Sequence, residues 1–311
     1  MSATPATPDV APSCPVGAGH KFFSLARIWA IASNTLLELI RLKVFYFMLL
    51  FALLLIGSSL FMVKLTFQQQ FQVLKDVSLG AMSIFTWLLA VLSTAMLLPK
   101  DIEDRTLYTI LAKPVPRFEY LLGKLFGVLL MLLIAISLMS VVFLGVLYFR
   151  EQSEIASAIA SNPPGEALDE AIRGIRASTF NANLLPGILV IYLKSALCAA
   201  LTLMLSTFAS SWIFTVITSV MIYFIGHVQP IAREYWLEQG PGGADPAPLV
   251  KAFMGFVSLV FPDFQIFNLV DDIVVGNAVP LAMFMKTAVL GGGYVFVYTF
   301  IAYLFFANKE L

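Results

Sequence analysis

Three aspartates in the C-terminal part of the chain have the spacing to do acid–base chemistry or to bind a cation. Asp263, Asp271 and Asp272 lie in one short stretch that follows an apolar segment. Neighbouring carboxylates can share a proton or bind a divalent metal ion. The stretch lacks the regular ligand spacing of a calcium loop, so we interpret the three aspartates as solvated turn and helix-cap residues.

One lysine and two histidines are the next candidates for chemistry. Lys194 interrupts a long apolar run, and a charge inside a membrane indicates a substrate or ion pathway by default. Pro186 and Gly187 near the start of that run would bring Lys194 towards a membrane interface. That position favours a lysine that snorkels or has a structural partner. His20 and His227 are far apart, and we expect an interfacial role for His227 and no metal site.

No recognised catalytic motif accompanies these residues. The sequence contains no HExxH, no GxSxG and no Ser/Lys pair in a suitable context. Its Gly123–Lys124 pair is followed by Leu125 and lacks the upstream glycine of a phosphate-binding loop. Cys14 and Cys198 lack the CxxC spacing of a metal or redox site. We therefore predict no catalytic residue, no cofactor and no metal, and we do not expect an enzyme.

The composition indicates that the candidate residues are positioned by membrane-spanning helices. Hydrophobic residues make up 59% of the 311 positions and charged residues only 12%, far from the balance of a soluble domain. The formal net charge of zero gives no electrostatic argument for binding nucleic acid. We predict an all-α membrane protein with six spans: about Val44–Val63, Val77–Leu98, Leu125–Phe149, Leu184–Phe208, Trp212–Val228 and Thr287–Ala307.

The segments around these spans have distinct patterns. Residues 1–21 are rich in Ala, Pro and Ser and are predicted to be a disordered tail. Phe22–Lys43 has its polar residues on one helical face, which predicts an amphipathic helix on the membrane surface. Arg150–Asn183 is predicted to form two short helices around a Pro–Pro break. Val250–Phe261 is apolar but too short to span, so we expect it to be interfacial or re-entrant.

Basic residues indicate the orientation of the chain. They are concentrated next to spans one, two and three, on the side that also carries both termini of a six-span protein. Lysine and arginine are enriched in cytoplasmic loops. We therefore predict a multi-pass protein of the cell membrane, such as a bacterial inner membrane, with cytoplasmic N- and C-termini.

The loop between spans two and three, Pro99–Lys124, has the most specific pattern. A charged first turn leads into a predicted amphipathic helix that Pro114 ends, because proline cannot continue the hydrogen-bond ladder. A second short helix then carries Arg117 into span three. Gly123 and Gly127 form a GxxxG pattern, which allows close approach of another helix. Such a rigid surface helix could transmit a push from a cytoplasmic partner to two spans.

Two sequence patterns resemble those of a known family. The pattern Glu103-x-x-Thr106, then Leu111-x-x-Pro114-x-x-Arg117-x-Glu119-Tyr-x-x-Gly123-Lys124, resembles the cytoplasmic coupling loop of ABC-2-type transporter permeases. Phe261-Pro262-Asp263, followed by Phe267-Asn268 and Asp271, is similar to the permeases of the multicopper-enzyme-maturation and gliding-motility group. The resemblance extends over nearly the whole chain from about Ala26.

This resemblance implies a function and a set of partners. Residues 22–311 would form the transmembrane domain of a permease, and a separate cytoplasmic ABC ATPase subunit would hydrolyse ATP. A second permease subunit, identical or homologous, would complete the pathway within the lipid membrane, and nucleic acid would not be a partner. The residues implied to couple the permease to the ATPase are Glu103, Thr106, Leu111, Pro114, Arg117, Gly123 and Lys124.

Two other functional classes stay open at this point. The chain could be a membrane scaffold that does not transport, or a secondary transporter that works without ATP. Secondary transporters usually have internal repeats and broken or charged helices near the middle of the membrane, whereas most of the predicted spans carry no charge. The sequence does not identify the substrate or the direction of transport.

Overall fold

The long runs of Leu, Phe, Val and Ala fold as α-helices, which satisfy their backbone hydrogen bonds within each segment. The computed structural model describes residues 24–62, 70–103, 116–161, 165–180, 184–209, 211–237, 261–268 and 280–307, and isolated positions between 249 and 257. No strand occurs among them. The helices are α1 (Leu25–Ile40), α2 (Lys43–Met62), α3 (Gln70–Glu103), α4 (Arg117–Ser161), α5 (Glu166–Thr179), α6 (Leu184–Phe208), α7 (Trp212–Leu237), α8 (Leu281–Ala307) and a 3-10 helix at Phe264–Phe267.

The structure confirms the all-α class and the prediction of six spans. Six helical stretches of the described chain are long and apolar enough to cross a membrane, and they contain α2, α3, α4, α6, α7 and α8. The bounds of α6 are those predicted for the fourth span. The predicted tail at residues 1–21 lies outside the described residues.

Four spans are longer than predicted, namely α3, α4, α7 and α8. Helix α3 continues through Pro99 to Glu103, so the predicted end at Leu98 is wrong; a proline in the last turn costs a single ladder bond. Helix α7 continues past Val228 to Leu237, so His227 does not end the helix. Helix α8 begins at Leu281 and includes Lys286, because an exposed lysine does not interrupt a helix.

The segment after span three differs from its prediction in one respect. The first of the two predicted short helices is the continuation of α4, which runs unbroken for 45 residues to Ser161. A helix of that length extends roughly 67 Å, about twice the hydrocarbon thickness. Helix α5 is the second, and it packs against the end of α4. The Lys75 ammonium of α3 also donates to the carbonyl oxygen of Ser178 in α5, at 2.7 Å.

The spans are not equally enclosed. Helices α3, α4 and α6 form the centre of the bundle, whereas α2, α7 and α8 expose most of their apolar surface. Phe47, Phe224 and Phe296 are examples of exposed aromatic side chains on these outer helices. A soluble monomer rarely exposes so much contiguous apolar area, so these faces suit contact with lipid or with another subunit.

A short irregular segment packs against α6, α7 and α8. Phe264 and Phe267 of the 3-10 helix are each 1% exposed. Gly226 of α7 allows this contact, because a Cβ there would lie 2.5 Å from the Phe264 ring and 2.6 Å from the Pro262 carbonyl oxygen. Most of the predicted re-entrant segment Val250–Phe261 lies outside the described residues.

Candidate functional site

The ends of four helices meet at one end of the bundle, which we call the terminal end because Ser24 and Ala307 lie there. The backbone N–H of Ser24 donates to the Glu119 carboxylate at 2.8 Å, which joins the start of α1 to the first turn of α4. The Arg117 guanidinium donates to the carbonyl oxygens of Phe306 at 3.0 Å and Ala307 at 2.6 Å. Arg117 thereby caps the C-terminus of α8, where a cation also stabilises the helix dipole.

A buried ion pair joins α3 to α4 at the terminal end. The Lys124 ammonium lies 2.7 Å from the Asp101 carboxylate, and Tyr120 donates its hydroxyl to the same carboxylate. Lys124 is 4% exposed and Asp101 7%. Such a pair offsets its desolvation cost only when the geometry and the additional hydrogen bonds are good. The phenol supplies that second bond, so the last turn of α3 is held firmly against the second turn of α4.

Glu38 extends this pair to α1. Its carboxylate lies 2.7 Å from the Lys100 ammonium and 3.7 Å from the Lys124 ammonium. Glu38, Lys100, Asp101, Tyr120 and Lys124 therefore form one network, which we call the terminal network. It connects α1, α3 and α4. A cavity of about 850 Å³ lies beside it, lined also by Asn34 and Arg41 of α1.

A second ion pair fixes the beginning of α1 to α4. The Arg27 guanidinium contacts both carboxylate oxygens of Glu119, Nε at 2.7 Å and Nη2 at 2.9 Å. Glu119 is only 1% exposed. The Arg27 Nη2 group donates a hydrogen bond to Glu119 Oε1, and Nε lies within ion-pair distance of Oε2. Together with the Ser24 bond, this pair fixes the orientation of α1.

The GxxxG pattern of α4 has a partner helix in the structure. A Cβ on Gly123 would lie 2.7 Å from the Cβ of Ile31, and one on Gly127 would lie 2.6 Å from the Cβ of Thr35. The two glycines therefore allow α1 to approach the backbone of α4. The buried face of α1 consists of Ile28, Ala32, Thr35 and Leu39. Close helix approach at Gly123 is confirmed, and the predicted position of α1 on the membrane surface stays a prediction.

The predicted coupling residues fall into two groups. Glu103 is exposed at the end of α3, whereas Arg117, Gly123 and Lys124 make the contacts within the chain that are described above. Thr106, Leu111 and Pro114 lie outside the described residues, in the segment 104–115 that joins α3 to α4. The sequence did not predict the contacts of five further residues: Arg27, Glu38, Asp101, Glu119 and Tyr120. Four of them are charged, and the sequence feature that could have indicated these contacts is the presence of opposite charges close to the predicted ends of three helices.

A comparison with family models decides the classification. The model of the ABC-2 family transporter protein matches residues 29–311, which include all the spans and the helices that form the terminal network. The chain belongs to the ABC-2 transporter family. A search among curated proteins found no match. The predicted likeness to the multicopper-enzyme-maturation and gliding-motility group stays a prediction for this ABC-2 transporter.

The interior of the ABC-2 transporter contains a second polar cluster. Lys194 is 7% exposed, and its ammonium lies 3.2 Å from Nε2 of His227 and 5.4 Å from the centre of the Tyr223 ring. Helix α6 begins at Leu184, so Pro186 does not delay it. Lys194 therefore has the structural partner that was one of its two interpretations, and it does not snorkel.

Of the three candidate aspartates, the structure describes only Asp263, which has a helix-capping role. The Asp263 carboxylate accepts the backbone N–H of Gln265 at 3.0 Å and thereby caps the 3-10 helix, as predicted for a cap residue. Asp271 and Asp272 lie outside the described residues. Within the described part of the chain, no group of three His, Cys, Asp or Glu residues could hold a metal ion.

Proposed function

We propose that the chain is the permease subunit of an ABC transporter, driven by ATP that a separate cytoplasmic subunit hydrolyses. The chain itself would not be an enzyme. The observation that carries this proposal is the terminal network, because it links α1, α3 and α4 at the end of the bundle where the segment 104–115 joins α3 to α4. An ABC-2 permease needs a rigid connection of this kind between the ATPase and its spans.

The contacts suggest how a displacement would travel. A push on the segment 104–115 would act on Glu103 at the end of α3 and on Arg117 at the start of α4. The Asp101–Lys124 pair, at 2.7 Å, would keep the two helices together as they move. Arg117 would pass the displacement to α8 through its bonds to Phe306 and Ala307. Lys124 is buried, so it would act through this joint and not by touching the ATPase.

The proposed assembly lies in the cell membrane with the terminal end facing the cytoplasm. Two permease subunits, identical or homologous, would form the pathway, and two ATPase subunits would bind beneath them. The exposed apolar faces of α2, α7 and α8 would contact lipid or the second permease subunit. Exposed Glu103 would make a polar contact with the ATPase, and Pro114 would end the surface helix that the ATPase contacts.

Copurification tests the ATPase partner. The tagged chain, extracted in mild detergent from its native membrane, is expected to retain vanadate-sensitive ATP hydrolysis. We expect Glu103→Arg to reduce the recovered hydrolysis about tenfold, since like charges across an interface oppose association. Glu166→Arg is the control, because Glu166 is also exposed but lies on α5, away from the terminal end.

Two results would contradict the proposed function, and a third would contradict the proposed role of Glu103. The native chain could be pure and active in transport without any ATPase, as a secondary transporter would be. It could retain an ATPase but transport nothing, as a scaffold would. Equal ATPase recovery with Glu103→Arg and with Glu166→Arg would exclude Glu103 from the docking surface.

The two cysteines allow the orientation to be measured without adding a label site. Cys198 is 3% exposed, so a membrane-impermeant maleimide is expected to react with Cys14 alone. We expect labelling in inside-out membrane vesicles and none in sealed right-side-out vesicles, because the N-terminus is proposed to be cytoplasmic. Cys14→Ser should abolish the signal. Labelling of intact right-side-out vesicles would reverse the proposed orientation.

A further inference from the structure

Lys194 places a cation deep inside the bundle. It is the eleventh residue of α6, roughly 15 Å along the helix from Leu184. That depth is about half the thickness of a hydrocarbon core. No carboxylate of the described residues forms a salt bridge with Lys194. Asp263, in the segment that covers the site, caps the 3-10 helix.

The hydrogen bonds of His227 define the charge of this site. Nδ1 lies 3.0 Å from the carbonyl oxygen of Tyr223, and a carbonyl can only accept, so Nδ1 carries a hydrogen. Nε2 of a neutral imidazole is then an acceptor, and it faces the Lys194 ammonium at 3.2 Å. A neutral ring supplies no counter-charge. Lys194 is then the cationic member of the pair, and its ammonium has further N–H donors.

Aromatic rings pack against both neighbours of Lys194, His227 and Tyr223. The Phe264 ring stacks on the His227 ring with centroids 5.4 Å apart, and the Trp87 ring stacks on the Tyr223 ring at 4.1 Å. Lys194, Tyr223, His227, Phe264 and Trp87 are called the Lys194 cluster below. These rings keep the surroundings apolar, and in such surroundings an opposite charge interacts far more strongly with a cation than it does in water.

The cluster lies next to exposed residues of α7. Tyr223 and His227 are half-buried and lie on α7, and the residues that follow them, Phe224 and Val228, are exposed. Since His227 is half-buried and lies 3.2 Å from the Lys194 ammonium, a ligand would reach that ammonium by displacing the His227 ring. Gln265 donates its side-chain N–H to the carbonyl oxygen of His227 at 3.3 Å, so the 3-10 segment is attached at the same point.

We propose that the Lys194 cluster binds an anionic phosphate or carboxylate group, with Lys194 as its charged donor. The proposal rests on the proposed permease function, since the bound anion would then be part of the transported substrate. None of the described carboxylates forms a salt bridge with Lys194, and an anionic ligand would supply a counter-charge. An amphiphile could place its headgroup at Lys194 and its apolar part along the exposed face of α7, whereas a soluble anion would occupy the cluster alone.

Thermal unfolding of the purified full chain tests this site without ATP or any partner. The probes are inorganic phosphate, phosphatidylglycerol in mixed detergent micelles and, as the comparison without net charge, phosphatidylcholine in the same mixed micelles. A ligand that binds only the folded state raises the Tm in a saturable way. We expect such a rise with phosphatidylglycerol or phosphate and none with phosphatidylcholine. A shift with phosphate alone identifies a soluble anion, and a shift with phosphatidylglycerol alone identifies an amphiphile.

Variants of Lys194 test whether a rise in Tm comes from binding at the Lys194 cluster. Lys194→Met is expected to weaken the apparent affinity at least about tenfold, and Lys194→Arg should retain it because the charge remains. Lys286→Met is the matched control, because Lys286 is an exposed lysine in a span outside the cluster. If Lys194→Met does not fold, Lys194→Gln replaces it, keeping a polar side chain without the charge.

The proposal is overturned if neither anion shifts the native chain, or if Lys194→Met binds as the native chain does. It is also overturned if Lys286→Met loses as much affinity as the Lys194 variant. Loss of the ATPase in copurification would leave a positive binding result unchanged, so failure of the proposed function and failure of this site are distinguishable.

Discussion

Lys124→Met is expected to lower the free energy of unfolding by about 3–5 kcal/mol, the usual cost of removing one member of a buried ion pair. The Asp101 carboxylate would remain 7% exposed, with Tyr120 as a hydrogen-bond donor and no cation at 2.7 Å. Methionine matches the volume of the lysine stem, so the loss would come from the charge and not from a cavity. The measurement is unfolding of the purified chain in mixed micelles by added SDS.

A double variant separates the charge from the packing. Asp101→Asn combined with Lys124→Met removes both charges, and the amide can still accept the Tyr120 hydroxyl. We expect the double variant to recover more than half of the loss, because replacing a whole buried pair is often close to neutral. Lys100→Met provides the contrast: its pair with Glu38 is partly exposed, so a change below about 1 kcal/mol is expected.

The double variant also tests whether the Asp101–Lys124 pair couples ATP hydrolysis to movement of the spans. If the Asp101–Lys124 pair joins α3 to α4 during transport, the double variant should regain stability but still lose substrate-stimulated ATP hydrolysis. A double variant as unstable as Lys124→Met would show that packing, and not charge, dominates this contact. Full coupling in the double variant would remove the pair from the proposed mechanism.

The fold could be predicted where apolar run length alone decides the element. The fourth span is the clearest case, because Leu184–Phe208 is predominantly apolar apart from Lys194 and the helix has those bounds. The ends of the helices were harder to predict. Pro99 and Lys286 were taken as boundaries, yet a proline in the last turn costs one hydrogen bond. The exposed lysine in α8 costs the helix little.

The contacts of the site were not predictable, because they depend on how the helices are rotated about their axes. Asp101 and Lys124 come from different helices, and their approach requires the correct faces of α3 and α4 to meet. The same holds for Lys194 and His227. The GxxxG pattern indicated a close approach but not its partner, since a pair of glycines permits contact with any helix that fits.

Gly127→Ala is expected to destabilise the chain by about 1–3 kcal/mol, the typical cost of an overpacked contact. The added Cβ would lie 2.6 Å from the Cβ of Thr35 and 2.9 Å from the carbonyl oxygen of Ala32. Neither atom can move by a change of rotamer, because one is a β-carbon and the other belongs to the backbone. Helix α1 would therefore have to shift away from α4, which would weaken the Arg27–Glu119 contact as well.

Gly145→Ala on the same helix is the matched control. Nothing lies within 4 Å of a Cβ at Gly145, so alanine there should stabilise the helix by up to about 1 kcal/mol. SDS unfolding gives the two free energies, and amide hydrogen exchange of α1 should rise in Gly127→Ala alone. Equal effects at the two glycines would mean that α1 does not pack on α4 at Gly127. The two substitutions are expected to change the free energy of unfolding in opposite directions. Both replace glycine with alanine in α4, so the difference comes from the contact of Gly127 with α1.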